Sequence, residues 1–238
     1  MAIAIDVAGT PITGNNITAI TGIAVTIVDV ASGSTIIVCT TAEDSSATDL
    51  VMLTADSSVD GSLTKDKEQI ITSGNTSASS IWRLSNATAG THVIVVKPTG
   101  TVSGMSAVAV SFTGVSNTGQ PDAVTGSSAT AEAEPYATDI TTVAADCIVI
   151  DSIANSEFDD TMTPAGSQVE VMDNSDAGNQ QKGAASYLIT VGAAGAKTMQ
   201  WGGWTGNATR LAHSLASYAP EAAAAAVRLS RLMTMGIG

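Results

Sequence analysis

The chain has few aromatic and few charged residues, and this scarcity limits the core and the surface that it can build. Aromatic residues make up 3% of the 238 residues and charged residues 13%, whereas apolar residues make up 44%. A core without many large rings must be filled by Ala, Val, Ile and Thr, and the β-branched members of that set favour strands. We therefore predict an all-β chain whose sheets pack closely.

Basic residues are also scarce. Nine Lys and Arg stand against 22 Asp and Glu, which gives a formal net charge of −13. A surface of this sign repels a phosphate backbone, so nucleic acid is excluded as a partner. The charge fits solubility alone, cation binding or the surface of a soluble particle.

Cysteine and long apolar runs are equally rare. The two cysteines, Cys39 and Cys147, lie in separate apolar runs and belong to no CxxC or Cys/His pattern, so no zinc site is predicted. We expect two buried free thiols, and a disulfide stays open because spacing alone does not decide pairing. The sequence has neither an apolar run of about 18 residues nor a basic, apolar N-terminal segment, so we expect no membrane span and no signal peptide.

Apolar patterns predict strands along most of the chain. Residues Ile23–Val30 alternate between apolar and polar, which indicates a half-buried strand, whereas Thr35–Thr40 is a continuous apolar run typical of a buried strand. The stretch Gly104–Gly126 begins as a strand and breaks at Gly114, after which turn-forming residues follow. We interpret the loop Val115–Val124 as the connection between two halves, with its tip as a candidate contact surface.

The two halves of the chain resemble each other. The similar stretches are Val30–Val38 with Val143–Ile150, Ser80–Val96 with Ser186–Trp201, and Ala107–Phe112 with Ala212–Tyr218. The second pairing places Trp82 on Tyr187 and Gly90 on Gly195. The coincidence of aromatic, glycine and spacing favours a true pseudo-repeat.

The repeat leads to a specific fold prediction. We predict a jelly-roll-like antiparallel β-sandwich built from two pseudo-repeated halves, at about residues 23–114 and 136–220. An N-terminal arm or edge strand covers residues 1–22, and a C-terminal helix or tail covers 221–238. The halves could interleave into one sandwich or form two small ones, and the lack of a Pro/Gly/Ser linker between them favours one.

One motif resembles a known group of domains. The strand that ends in Ser-Phe-x-Gly-Val at 111–115 is followed by a polar turn and Pro121-Asp122-Ala123. This pattern resembles the β-sandwich domains of phage structural proteins and of some bacterial surface or secreted proteins, and Gly195, Trp201 and the segment 212–220 match it in the second half. The resemblance covers about residues 23–220. It implies a displayed module without enzymatic activity, similar in fold to lectin-like jelly rolls.

The segment after Pro220 lies outside this resemblance. Residues Glu221–Met235 combine an acidic start, an apolar stripe and two late arginines, which predicts a helix. Leu229, Leu232 and Met233 are its candidate assembly residues. The helix could fold back on its own sandwich or dock on a neighbouring subunit, because a lone helix of this length needs a packing partner.

The sequence offers little catalytic chemistry. His92 and His213 lie on predicted strands, and neither belongs to a nucleophile motif such as GxSxG, so we predict no catalytic residue. Glu132 and Glu134 are spaced as neighbours on an exposed strand face rather than as a glycosidase pair. A hydrolase is therefore only the third hypothesis.

Two weaker patterns point to ligands. Acidic loops occur at matching places in the two halves, and their oxygens are candidate calcium ligands although the EF-hand spacing is absent. These residues are Glu43, Asp44, Glu157, Asp159 and Asp160. Trp201 and Trp204 flank Gly202-Gly203 and could present a ring to a glycan.

These observations favour a non-enzymatic structural protein of a virion, in particular a phage capsid-decorating or head/tail-associated protein. Such a protein would form homo-oligomers, contact other capsid or tail proteins, and be assembled in the host cytoplasm. The alternative is a glycan-binding or adhesive surface module that contacts host surface glycans.

Overall fold

The computed structural model describes residues 2–18, 20–44, 52–72, 76–156, 161–176, 181–190, 192–204, 207–208 and 210–222. Within these residues the chain forms antiparallel strands and no helix, so the predicted all-β class is confirmed. The predicted C-terminal helix, with Leu229, Leu232 and Met233, falls outside the described residues beyond position 222.

The first half of the chain forms one large and one small sheet. Its strands are β1 (Ala4–Ala8), β2 (Ile12–Ile17), β3 (Ile23–Val30), β4 (Thr35–Asp44), β5 (Met52–Ser57), β6 (Gly61–Ser62), β7 (Thr64–Ile71), β8 (Thr76–Leu84), β9 (Gly90–Pro98) and β10 (Val102–Thr113). The first large sheet has the order β1-β10-β4-β8-β7 with β2 also beside β10, and the first small sheet has the order β3-β9-β5-β6. Strands β3 to β5 and β8 to β10 alternate between the two sheets, as in a jelly roll.

The second half repeats this arrangement. Its strands are β11 (Ala123–Ala129), β12 (Glu132–Ala133), β13 (Tyr136–Thr142), β14 (Ile148–Ser156), β15 (Thr163–Pro164), β16 (Val169–Asp176), β17 (Gln181–Ile189), β18 (Gly195–Gly202), β19 (Asn207–Ala208) and β20 (Arg210–Tyr218). The second large sheet has the order β11-β20-β14-β17-β16, the second small sheet has the order β13-β18-β15, and β12 pairs with β19. Gly90 and Gly195, which the repeat aligned, begin β9 and β18 with φ of 123° and 143°. The predicted duplication is therefore confirmed.

The two halves do not interleave. Each of the sheets takes its strands from one half only, so the structure has two small sandwiches and not the single mixed one that the missing linker had favoured. A long linker is not needed because the halves are joined directly. Val115 forms a β-bridge with Pro220, and the Gln120 side chain bonds to both the N–H and the carbonyl of Ala219.

The two large sheets pack face to face, so the molecule has four layers. The contact between them is an apolar core shared by both halves, which we call the central core. Its members include Ile37, Cys39, Val108, Val110, Phe112, Ile148, Ile150, Tyr187 and Tyr218. Each sandwich has a further core of its own on the other face of its large sheet.

This layering explains the two apolar patterns in the sequence. Strands β4 and β14 lie in large sheets that are covered on both faces, and every residue of both strands is buried. Strands β3 and β13 lie in small outer sheets, and their residues alternate between buried and exposed. A sheet covered on two faces needs continuous apolar runs, whereas a sheet covered on one face needs alternation.

The alignment of Trp82 with Tyr187 is wrong by one residue. Trp82 pairs with Val38, and both face the core of the first sandwich. Tyr187 pairs with Ile150, and both face the central core. Neighbouring residues of a strand point to opposite faces, so an offset of one residue exchanges one core for the other.

The N-terminal residues lie at the edge of the first large sheet. Strand β1 pairs with the end of β10, where Ala4 lies opposite Thr113, and β2 pairs with its beginning, where Ile12 lies opposite Ala107. Between the two strands, the N–H of Gly9 donates to the carbonyl of Ala109 at 2.8 Å. The two short strands thus act together as one divided edge strand.

Small hydroxyl residues let the two large sheets approach closely at one end of the central contact. Ser79 Oγ donates to Ser214 Oγ at 2.9 Å, and Ser152 Oγ donates to the carbonyl of Thr40 at 3.0 Å. These bonds satisfy buried polar groups that would otherwise destabilise a dry layer.

Replacing Gly183 by Ala should destabilise the protein, because the new Cβ would overlap Thr41 Oγ1 and lie 3.2 Å from Ser106 Cβ across the central contact. We expect a loss of about 1–3 kcal/mol, the usual cost of overpacking, measured by urea unfolding. The control is Gly100→Ala, whose Cβ would have nothing within 4 Å. That variant should change stability by less than about 0.5 kcal/mol. Equal effects of both changes would contradict the close approach.

A buried carboxylate also joins the two sandwiches. Tyr218 on β20 donates its hydroxyl to Asp66 Oδ2 at 2.8 Å, and Arg83 Nη2 on β8 lies 3.4 Å from Asp66 Oδ1. Burial raises the pKa of Asp66 above its ordinary value of 3.8, although the hydrogen bond from Tyr218 and the charge of Arg83 oppose the rise. Burial, together with the neighbouring Asp66, raises the pKa of Tyr218 well above 10.0.

The raised pKa of Asp66 makes stability depend on pH in a defined direction. The folded protein holds the proton of the Asp66 carboxyl group more tightly than the unfolded chain does. The contribution of Asp66 to the free energy of unfolding is therefore greatest below pH 3.8 and declines as pH rises through the folded pKa. Asp66→Asn removes the titration but keeps an acceptor for Tyr218. We expect the free energy of unfolding of the wild type, relative to this variant, to fall with rising pH above about pH 4 and then level off. Urea titrations of both proteins measure this difference, and a rise with pH would contradict the assignment.

Candidate functional site

A connected set of polar side chains runs through the second sandwich from its edge into its core. It consists of Tyr136 and Thr138 on β13, Ser127 on β11, His213 on β20 and Asp151 on β14, and we call it the His213 network. Strands β11 and β13 are the edge strands of the second large and small sheets, on the same side of the sandwich. The network therefore begins where the two sheets open to solvent.

The members of the His213 network are joined by consecutive hydrogen bonds. The Tyr136 hydroxyl donates to Ser127 Oγ at 2.8 Å, and Ser127 Oγ is hydrogen-bonded to Thr138 Oγ1. Thr138 Oγ1 lies 2.9 Å from His213 Nδ1, and His213 Nε2 lies 3.0 Å from Asp151 Oδ2. A carboxylate only accepts, so these partners assign the proton of the neutral imidazole to Nε2 and leave Nδ1 as the acceptor from Thr138.

Asp151 is held by three other donors besides His213. The N–H and hydroxyl of Ser186 donate to Oδ1 at 2.7 and 2.8 Å, and Trp201 Nε1 donates to Oδ2 at 2.7 Å. Ser186 lies on β17 and Trp201 on β18, so the carboxylate ties together both sheets of the second sandwich. A buried polar group satisfied on all sides is rigidly positioned.

Exposure rises from the inner to the outer end of the network. Asp151 and His213 are 0% exposed, Thr138 is 6% and Tyr136 is 7% exposed, and Ser127 is half-buried. Burial raises the pKa of Tyr136 above 10.0, although the hydrogen bond with Ser127 opposes this. Ser127 is thus the member that a molecule from solution reaches first.

The first sandwich has the same strands but lacks this network. Counting along the paired strands shows which residues of the first sandwich occupy the network positions of the second. Val25 corresponds to Thr138, Val38 to Asp151, Val96 to Trp201 and Ala107 to His213. All four positions of the first half belong to its apolar core. The fold therefore forms without the network, and the first sandwich is an internal control for it.

His92, the other histidine, is part of a turn structure in the first sandwich. Its Nε2 lies 2.8 Å from the carbonyl of Thr88, and its Nδ1 lies 2.9 Å from Ser57 Oγ. Asp60, 3.7 Å from Nδ1, accepts hydrogen bonds from the N–H and hydroxyl of Thr88. His92 is 0% exposed, and Ser57 is also bonded by the N–H groups of Val59 and Asp60. These contacts close a loop, and Ser57, the hydroxyl residue that faces the imidazole, is only 6% exposed.

Asp6 and Asp122 form equivalent clamps in the two halves. Asp6 accepts from Ala31 N, Ser34 Oγ and Ser111 Oγ, and Asp122 accepts from Ala144 N, Cys147 Sγ and Ser217 Oγ. Burial acts to raise the pKa of Asp6, but the hydrogen bonds outweigh it and leave the pKa below 3.8. Burial, assisted by Asp122, raises the pKa of Cys147 to about 12. Both clamps fasten a turn to an edge strand, and both cysteines are free and buried.

The predicted calcium ligands are not assembled among the described residues. Glu43 and Asp44 are buried at the end of β4, 3% and 9% exposed. Glu157, Asp159 and Asp160 lie outside the described residues. Within the described part of the chain, no group of three or more His, Cys, Asp or Glu could hold a metal ion.

The two tryptophans proposed for glycan stacking are both buried. Trp201 is 0% and Trp204 is 2% exposed, and both belong to a core cluster of the second sandwich. Stacking requires an exposed ring face, so the expectation that one ring points outward is wrong. Trp201 lies on an inward position of β18, where its indole N–H bonds Asp151. Glu132 and Glu134 are exposed, as expected of a strand face.

No local pattern in the sequence predicts the His213 network, because its members lie on separate strands. Two signals were nevertheless present. Asp151 and Ser152 interrupt the apolar run at 147–153, and His213 stands in a closing strand of Ala, Ser and Leu. A titratable residue inside a continuous buried run needs a partner across the fold.

Comparisons with protein-family models, with curated proteins and with solved structures give no match to this chain. The fold itself defines the class, a duplicated jelly roll stacked through its large sheets. Jelly rolls serve unrelated functions, so function must be argued from particular residues. No helix among the described residues is long and apolar enough to cross a bilayer.

His213→Ala and Asp151→Val should each destabilise the protein, because each leaves buried partners unsatisfied. We expect each single variant to lose about 2–4 kcal/mol of the free energy of unfolding, measured by urea unfolding. The double variant restores the residue types of the first sandwich, so it should cost less than the sum of the two by about 1–3 kcal/mol. Strictly additive losses would contradict a connected network.

Proposed function

We propose that this protein is a structural component of a virus particle, in particular a phage capsid-decorating or head/tail-associated protein. The observation that carries the proposal is the stacking of two jelly rolls in one chain into a four-layer body. Jelly rolls recur in viral capsids, although also in lectins and cupins, so this support is an analogy of fold.

The outer faces of the body support a role in protein contacts. Strand β3 exposes a row of Ala24, Thr26 and Val28 with Asp29 at its end, and β13 exposes Ala137 and Thr141 on either side of Asp139. Rows of small side chains on a sheet give a flat surface that another flat surface can cover with little loss of side-chain entropy. The net charge of −13 keeps such a body soluble before assembly.

The position of the C-terminal segment gives the proposal a mechanism. Pro220 bridges Val115, and the N–H of Glu221 donates to the carbonyl of Gly114 at 2.7 Å. A Cβ on Gly114 would contact the backbone of Ala2, so both ends of the described chain lie on one side of the body. In the proposal, the helix predicted for residues Glu221–Met235 docks on a neighbouring subunit through the part that follows Ala222, where Arg228 and Arg231 meet an acidic surface.

Truncation after Ala222 tests this function. We expect the full chain to form homo-oligomers by light scattering, and the truncated chain to be monomeric with an unchanged urea midpoint, because the described body keeps all its sheets. Leu229→Ser with Leu232→Ser should have the same effect, while Ser230→Ala serves as the matched control. A full chain that is monomeric and does not co-purify with particles would refute the proposal.

A further inference from the structure

We propose that Ser127 is a nucleophile activated through the His213 network, and that the second sandwich transfers acyl groups from small esters to water. This goes beyond the assembly function, and either can hold without the other. It also opposes the sequence-based expectation that the chain is not an enzyme. The experiment below decides between that expectation and catalysis by Ser127.

The network supplies a nucleophile, a base and a positioning group in the right order. Ser127 Oγ reaches His213 Nδ1 through the single hydroxyl of Thr138, which lies 2.9 Å from that nitrogen. A base acts through one intervening hydroxyl as it does through one water. Asp151, 3.0 Å from Nε2, fixes the tautomer that leaves Nδ1 free to accept the proton.

Tyr136 provides a donor for the oxyanion. Its hydroxyl lies 2.8 Å from Ser127 Oγ and donates to it in the resting state. When Ser127 Oγ bonds to an acyl carbon, the same O–H is placed to donate to the adjacent carbonyl oxygen as charge develops there. The Tyr136 ring is 6.0 Å from the His213 ring, so donor and base lie close together beside Ser127.

The position of Ser127 leaves it accessible from solution and holds it in one place. It is the half-buried outer end of the network, between the edge strands β11 and β13. Strand β11 is held on its other face, where a Cβ on Gly126 would lie 2.6 Å from Lys67 Cε and 2.8 Å from Gln69 Oε1 of the first sandwich. A strand fixed on one side presents its serine in one place, which favours a defined geometry of attack.

The reaction needs no cofactor. Ser127 Oγ bonds to the ester carbonyl carbon while its proton passes to Thr138 and the Thr138 proton passes to His213 Nδ1. The carbon–oxygen bond to the alcohol then breaks, and the alcohol leaves with the proton returned from His213 through Thr138. Water attacks the acyl-serine with the same proton path, which releases the acid and restores Ser127. The sum is ester plus water giving acid plus alcohol.

A purely structural role is the competing explanation, and the first sandwich argues against it. Its equivalent positions Val25, Val38 and Ala107 build the same strands with an apolar core. A buried polar network that the fold does not require is a candidate for chemistry.

A fluorophosphonate probe followed by peptide mass spectrometry tests the proposal, with p-nitrophenyl acetate hydrolysis as the second readout. We expect the probe to label the wild type at Ser127. Ser127→Ala should not be labelled, while Ser128→Ala, which changes the exposed neighbour, should be labelled at the wild-type rate. Thr138→Val should label at least about 100-fold more slowly, because the proton path is broken, and Thr138→Ser should restore labelling.

We expect Thr138→Val to fold, because Val25 occupies the equivalent position of the first sandwich. Asp151→Asn tests the positioning role. It should slow labelling, because an amide can donate to His213 Nε2 and then favours the other tautomer, in which Nδ1 already carries a proton. A merely structural carboxylate would change the urea midpoint but not the labelling rate of the folded protein.

Two results would overturn the proposal: labelling of the wild type no faster than that of Ser127→Ala, or equal labelling of Thr138→Val and the wild type. The chain truncated after Ala222 should label at the wild-type rate. Failure of assembly and failure of the acyl chemistry are therefore distinguishable.

Discussion

The face-to-face contact of the two large sheets is the constraint on which the rest of the structure depends. It covers the second face of each large sheet, so β4 and β14 are buried at every residue. A layer buried on two sides excludes water from its backbone and its side chains alike. Polar groups inside it must therefore find partners within the protein, as Ser152 does with Thr40 and Asp66 with Tyr218.

The scarcity of large side chains follows from the same contact. Gly183 and Gly126 lie where a Cβ would meet atoms of the first sandwich, and hydroxyl residues bond directly across the contact. Small residues bring the two sheets together but fill little volume each. Two of the few large rings, those of Phe112 and Tyr187, meet in the central core with 5.4 Å between their centroids.

Because the fold is duplicated, equivalent positions of the two halves can be compared. The clamps of Asp6 and Asp122 recur because both halves must fasten the same turn to the same strand. The His213 network occurs once, at positions where the first half is apolar. Features shared by both halves reflect the requirements of the fold, whereas a costly feature found in one half reflects a separate requirement.

The sequence by itself determined the all-β class, the duplication and the difference between inner and outer strands, because apolar periodicity records how many faces of a sheet are covered. Only the tertiary structure decided that the halves form separate sandwiches and that Trp82 and Tyr187 face different cores, since both depend on register and sheet packing. The tertiary structure also decided that Trp201 is buried and that Asp151, His213 and Ser127 belong to one network. Those residues lie on different strands, and no local pattern encodes the distance between them.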